Sequence, residues 1–374
     1  MRTTPRVTRI LTFVACLSSA LFSSRGARAG SMDPAPERLV LQPPGLQGGD
    51  TCQSIAANPE SVVQNPAYKG QLPNNFPCRP NNPAFKNMVS ELGFAIAPTA
   101  FHPARTTGYG GFALTLEASY THINADDTDP TTHTQYWHQG TQGPIDPNTH
   151  QFSTVNNSPD SLLQIYSLKA RKGLPFGFEI TGDLGYIANT TMWVGGADIR
   201  WSLLEGFRTG ALGILPDVAV GGGVRTLTGT SKFTLTTVGV DVQVSKPIAI
   251  ADSATVTPYV GYQRLFVFGD STIVDLTPQV DPAQQCGLAG HDQNGAPICR
   301  NKLSNGADNN GDFNNNATFD RVRTQYDRLI VGLSYRYELL FLAGQFLVDI
   351  TPQNDTDLQT ARMWTMSFEG GVYF

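Results

Sequence analysis

From Gly108 to the end of the chain, apolar and polar residues alternate with a period of two in one stretch after another. In the first stretch Phe112, Leu114, Leu116, Ala118 and Tyr120 alternate with Thr115, Glu117, Ser119 and Thr121. Such alternation puts the two sets on opposite faces of an extended strand. The second stretch, Ser161 to Arg171, sets Leu162, Tyr166 and Leu168 against Ser167 and Lys169. The third sets Phe176, Phe178, Ile180, Leu184 and Tyr186 against Glu179, Thr181 and Asp183, and the fourth Trp193, Ala197, Ile199, Trp201 and Leu203 against Asp198, Arg200 and Ser202. Val218, Val220 and Val224 face away from Arg225 in the fifth, where Gly221, Gly222 and Gly223 mark a bend or a close approach. In the sixth, Val238 to Val244 alternate with Gly239, Asp241, Gln243 and Ser245, but Phe233 and Leu235 have the opposite parity, so a bulge near Thr236 is expected. The seventh, Ala254 to Phe268, is ambiguous around Arg264. The eighth opposes Leu329 to Tyr337 with Arg328, Ser334, Arg336 and Glu338, and the ninth opposes Leu342, Phe346, Val348 and Ile350 with Gln345 and Asp349.

The tenth stretch ends the chain. Trp364, Met366, Phe368, Gly370, Val372 and Phe374 form one face, and Thr365, Ser367, Glu369, Gly371 and Tyr373 the other. An alternating strand closed by a terminal aromatic resembles the C-terminal signature of Gram-negative outer-membrane β-barrel proteins. The resemblance covers residues 108–374 and implies an outer-membrane location, lipid around the outer face and delivery by the barrel assembly machinery. The fold expected is all-β: an antiparallel transmembrane β-barrel of about ten strands with an irregular N-terminal extension. Trp193 and Trp201 in one strand would stand about 20 Å apart along the membrane normal, near the ~25 Å apolar band of such barrels. An even strand count puts both sheet ends on one side. The longest connections, Asn124 to Pro159 and Gly269 to Val322, then fall together on the other side, as extracellular loops do. A soluble β-sandwich also alternates, but it would not produce this sorting.

Residues 1–29 have the form of a secretory signal: Arg2, Arg6 and Arg9, an apolar Ile10–Phe22, and Ala27-Arg28-Ala29 before Gly30. Phe13-Val14-Ala15 makes a poor lipobox ahead of Cys16. Residues 30–107 are rich in Pro, Asn, Gly and Gln, with Pro43-Pro44, Asn74-Asn75 and Asn81-Asn82-Pro83 as breakers. This segment is expected to be irregular and disulfide-clipped, lying in the periplasm or folded as a plug inside the barrel. Ala95 to Arg105 is its best candidate for contact with the lumen.

The chain of 374 residues is 40% hydrophobic and 15% charged, with a formal charge of −5 that becomes −10 once the five arginines of the signal are removed. Clustered Lys and Arg are missing, so nucleic acid is not an expected partner. Four cysteines follow the signal and form two local pairs, Cys52 with Cys78 and Cys286 with Cys299, most simply two disulfides in an exported chain.

The lumen-lining candidates are Glu117, Lys169, Glu179, Asp183, Asp198, Arg200, Arg225, Asp241, Arg328, Arg336, Glu338, Asp349 and Glu369. They hold eight acids against five bases, and in a narrow lumen they must pair or be hydrated. The expected function is a narrow, partly occluded, cation-favouring channel or a structural membrane protein. The alternative is binding of an extracellular ligand, or adhesion, through the two long loops; the sequence leaves the oligomeric state open. His122, His133, His138 and His150 share the first loop region with Asp126, Asp127, Asp129 and Asp146, but no spacing gathers them for a metal. Asp308 to Asn314 resembles a calcium loop only faintly, with Phe313 in the place of the turn glycine and no acid at its twelfth position. No cofactor and no catalysis are expected. Of the rim residues an omptin-like protease would use, His122, Asp126, Asp127, His291 and Asp292 lack the spacing, and no Gly-x-Ser-x-Gly elbow occurs.

Overall fold

The computed structural model describes residues 30–125, 135–206, 215–251, 254–352 and 362–374, so the proposed signal lies outside the described residues. Ten antiparallel strands close into a ring: β1 (Phe112–His122), β2 (Leu162–Gly173), β3 (Phe178–Ile187), β4 (Trp193–Leu204), β5 (Asp217–Thr228), β6 (Phe233–Ser245), β7 (Ala254–Ser271), β8 (Val322–Tyr337), β9 (Leu340–Asp349) and β10 (Trp364–Tyr373). Each pairs with its sequence neighbours, and β10 returns to β1 in the register Trp364 opposite His122 to Tyr373 opposite Ala113. Phe374 extends the seam, its N–H donating to the Phe112 carbonyl at 2.8 Å and its carbonyl accepting from Phe112 at 3.1 Å. Closure leaves no edge in the ring of ten strands, which a sheet in lipid requires.

The outer wall is apolar. Ile180, Leu184, Ile199, Val240, Val260, Val331, Leu333, Leu342 and Phe368 are all exposed on it, a surface too large and greasy for water. Aromatic pairs stand at its two edges: Phe178 on Trp201 with ring centroids 5.5 Å apart, and Tyr186 on Trp193 at 5.2 Å. No helix among the described residues is long and apolar enough to cross a membrane, and the strands are the spanning elements. The short connections lie at one end, the inner rim. The long ones lie at the other, the outer mouth.

The bulge expected near Thr236 does not form. Phe233 to Ser245 pairs residue by residue with Ser271 to Tyr259. Phe233 and Leu235 instead point inward, 2% and 0% exposed, because the lumen is apolar at their level. Arg264 points outward and binds Asp327 at 3.0 Å on the neighbouring strand. Arg336 and Glu338 do not line the closed lumen. Arg336 is exposed, its guanidinium 4.9 Å from the centroid of the Tyr373 ring, and Glu338 sits beyond the end of β8 in the turn, with φ of 49°.

Residues 30–107 are neither irregular throughout nor set beneath the barrel. The breaker Asn81-Asn82-Pro83 is a helix start: the Asn81 side chain accepts from Ala84 N, and proline occupies the first turn of the plug helix Asn82–Ile96. Residues 30–81 form a cap on the outer mouth, where Lys232 meets Glu37 at 2.6 Å, Ser304 N donates to Glu60 at 2.7 Å and Cys78 N donates to Asn315 at 2.9 Å. The Cys52–Cys78 and Cys286–Cys299 disulfides are both present, one in the cap and one in the long loop beneath it. From the cap the chain descends through the lumen and reaches the inner rim before β1.

Candidate functional site

The plugged lumen has two storeys. In the upper one the plug helix satisfies its own backbone hydrogen bonds, so what it offers the wall is side chains. Phe85, Met88, Val89, Leu92 and Phe94 are fully buried and join Leu163, Ile165, Val194, Leu227, Phe233, Leu235, Leu265 and Val267 of the wall in one apolar cluster. Phe85 stacks on Phe319 at 4.4 Å and meets Phe233 edge-on at 6.0 Å, while Phe94 meets Tyr326 edge-on at 5.5 Å. The helix lies so close to β7 that a Cβ at Gly93 would come within 2.4 Å of Val267. One carboxylate interrupts this storey: Glu91, 0% exposed, accepts from Tyr136 Oη at 2.9 Å, Trp137 Nε1 at 2.6 Å and Asn124 N at 3.1 Å. It ties the plug helix to the first long loop.

Below Ile96 the helix ends, and residues 97–107 continue as a strap. A strap has unsatisfied carbonyls, and these must find donors. The wall supplies them one after another. Pro98 O accepts from Arg328 Nη2 at 2.5 Å and Gln263 Nε2 at 3.1 Å; Thr99 O from Gln345 Nε2 at 2.7 Å; Ala100 O from Gln243 Nε2 at 2.7 Å; and Phe101 O from Arg171 Nη2 at 2.7 Å. Each glutamine is oriented by a donor to its own oxygen: Arg328 Nε on Gln263 at 2.8 Å, Tyr259 Oη on Gln345 at 2.9 Å and Arg200 Nη1 on Gln243 at 3.1 Å. The amide direction is therefore set by the network.

Most of the buried charges around the strap are paired, while Arg328 is held by Gln263 and the Pro98 carbonyl. Lys169 bridges Glu117 and, at 3.8 Å, Asp183; Arg225 holds Asp183 at 2.9 Å and Asp198 at 2.7 Å; Arg171 binds Glu369; and Arg200 meets Asp241 at 3.4 Å. His102 of the strap lies 3.1 Å from Glu179, whose other oxygen accepts Thr107 N at 2.7 Å. Asp349 lies near the mouth and accepts Thr351 N at 2.8 Å. Two cavities remain among these groups, each of about 20 Å³, or roughly the space one water requires.

Of the sequence candidates, Glu117, Lys169, Glu179, Asp183, Asp198, Arg200, Arg225, Asp241, Arg328 and Glu369 gather around the strap and the foot of the helix. The candidates omit Arg171, although it is charged and shares the inward parity of Lys169, and the uncharged Gln243, Gln263 and Gln345, of which Gln243 and Gln345 sit on the polar faces of their strands. Glu91 gives no signal at all, since no pattern in the sequence marks its helix. Of the loop histidines, His122 stacks on Trp364 at 5.6 Å and His150 is exposed, while His133, Asp126, Asp127 and Asp129 lie outside the described residues. Asp146 and Asp292 accept backbone N–H groups of their own turns. Asp308 pairs with Lys302, and Asp312 is buried under Thr277 and Asn315. Among the described residues no group of three or more His, Cys, Asp or Glu is placed to hold a metal.

No family model and no curated protein matches the chain. Among solved structures it is similar to the attachment invasion locus protein Ail of Yersinia pestis, at 8% identity over 71% of this chain and 99% of that one, with a TM-score of 0.23. The N-terminal β-barrel domain of Pseudomonas aeruginosa OprF gives 8% identity, 71% and 99% coverage and 0.25. The translocator domain of the autotransporter NalP of Neisseria meningitidis gives 10%, 78%, 96% and 0.27. At these values the likeness carries no argument about this chain. The ring closure and the apolar outer wall of this chain are by themselves those of an outer-membrane β-barrel.

Proposed function

We propose that the protein is a plugged outer-membrane barrel that does not conduct at rest and works at its outer face, where the cap and the two long loops form a surface for an extracellular ligand. The observation that carries this reading is the strap: its carbonyls are held by the wall across the lumen, and the two cavities described beside it are each of about 20 Å³, water-sized. A second reading, a latent cation-favouring path, is favoured by the wall once the strap is set aside. Asp183 and Asp198 share Arg225, and the direct contacts of Glu179 are with His102 and the Thr107 N–H, so carboxylates outnumber the bases bonded to them. Planar bilayers separate the two readings. The intact protein should give no steady current, and deletion of residues 30–100 should open a cation-selective one that loses selectivity as salt screens the wall. Large unselective current through the intact protein would overturn the plugged reading.

A further inference from the structure

The path of the chain carries a consequence for how the cap arrived. Residues 30–33 are bonded at the outer mouth, Met32 N to Asn189 O at 2.9 Å and Asp33 to Thr191 N at 2.7 Å. Thr107 is bonded to Glu179 near the inner rim, and β1 begins five residues later. The helix and strap that join the two ends run inside the ring. With the long loops facing outward, residues 30–81 lie on the opposite side of the membrane from the first residue of β1, although an exported chain reaches the membrane from the periplasmic side.

The wall is suited to the passage of an extended chain. At the level of the strap it holds the chain mainly by carbonyl oxygens, which every residue possesses, through donors already fixed in direction. Strap side chains add contacts of their own, Thr99 with Glu117 and Lys169, His102 with Glu179 and Thr106 with Glu205, but the four consecutive carbonyls from Pro98 to Phe101 are each held by the wall whatever side chain they carry. A track that binds backbone accepts one extended segment after another, whatever its sequence.

We propose that the barrel is a conduit for its own N-terminal segment: residues 30–81 pass through the lumen as an extended thread to the outer face, and the last part of the thread stays behind as the strap that closes it. This rests on the reading that the long loops face outward. The test uses the full chain in cells, with a flexible epitope in the Gly48-Gly49 turn, where both glycines have positive φ and open space around them. A second epitope at the exposed Asn294-Gly295 turn of the long loop reports orientation. Both epitopes should be labelled on intact cells. If the loop epitope labels and the cap epitope appears only after lysis, conduction of the segment is overturned while the barrel orientation stands. If neither labels on folded barrels, the orientation and the proposal fall together.

A further variant separates threading from closure of the barrel around a preformed cap. A small, stably folded domain inserted at Gly48-Gly49 should abolish surface labelling of the cap, and a substitution that unfolds the insert should restore it. Equal display of the folded and unfolded inserts would overturn the threading mechanism.

Discussion

The plug helix and the strap occupy the same lumen and are held there by opposite means. The helix, with its backbone bonds made internally, meets a wall of Leu, Ile, Val and Phe; the strap, with its carbonyls open, meets Arg and Gln. The inward face of the barrel thus changes composition at the level where the plug changes its backbone. This is why Phe233 and Leu235 break the parity of their strand without a bulge, and why Gln263 and Leu265 can be neighbours on one inward face of β7. A barrel interior is polar where it meets water or open backbone, and apolar where it meets a finished helix.

The contrast can be broken from either side. The largest effect is expected from Phe85→Ala, which removes a fully buried ring packed on Phe319 and Phe233 and should cost about 3–5 kcal/mol. Thermal melting of the folded barrel, read by gel mobility, would show it, with no steady current because the strap is untouched. Next comes Gln345→Leu, which leaves the Thr99 carbonyl and the Tyr259 hydroxyl without partners at about 1–3 kcal/mol. Here brief openings should appear in single-channel records before any large fall in melting temperature. If the two variants gave the same combination of melting and current, the two storeys would not be separately held.

Glu91→Gln sharpens the comparison inside the upper storey. It keeps one acceptor oxygen for Trp137 Nε1 and Asn124 N, puts an amide NH2 where Tyr136 Oη now donates, and loses the charge, so a loss of about 1–2 kcal/mol and faster proteolysis of the first long loop are expected. The smallest effect concerns Asp312 in the second loop. Burial raises its carboxyl above the usual range, against the pull of its bonds from Thr277 and Asn315. The folded loop therefore binds this proton more tightly than the unfolded loop does. That contribution is complete below the ordinary aspartate value and is lost as pH rises through the raised one, at about 1 kcal/mol or less. Hydrogen exchange across residues 272–321 should show protection declining over that window, and Asp312→Asn should abolish the trend.

Most of the ring was legible in the alternation. All ten strands, their order and the sorting of long and short connections follow from a period of two, because lipid on one side and a lumen on the other impose it along the whole chain. The plug was legible only as a question. Its helix follows Asn-Asn-Pro, a triplet that ends structure as readily as it begins it, and its polar residues Asn87, Ser90 and Glu91 are as buried as its apolar ones, so its pattern does not read as that of a surface helix. Most of the charged lumen residues are legible because a charge on the inward parity of an alternating strand is conspicuous, although Arg171 is passed over at the end of its stretch. Gln243, Gln263 and Gln345 are not legible, since an uncharged amide on a polar face looks like any solvated residue until the carbonyl it serves is seen. Arg336 and Glu338 went wrong for the converse reason: their parity is inward, but β8 ends at Tyr337 and the lumen closes above them.

The cap and the anchor at β1 also give the assembly a mechanical sense. The segment resembles a cord passed through a ring, knotted outside by the Cys52–Cys78 clip and sewn to the rim inside at Phe112. Tension from the periplasmic side seats the knot more firmly on the mouth, and tension from outside is carried through the helix and strap into the first strand. Neither pull simply draws the cord out, so force applied to the cap of this protein is force applied to the seam between β1 and β10.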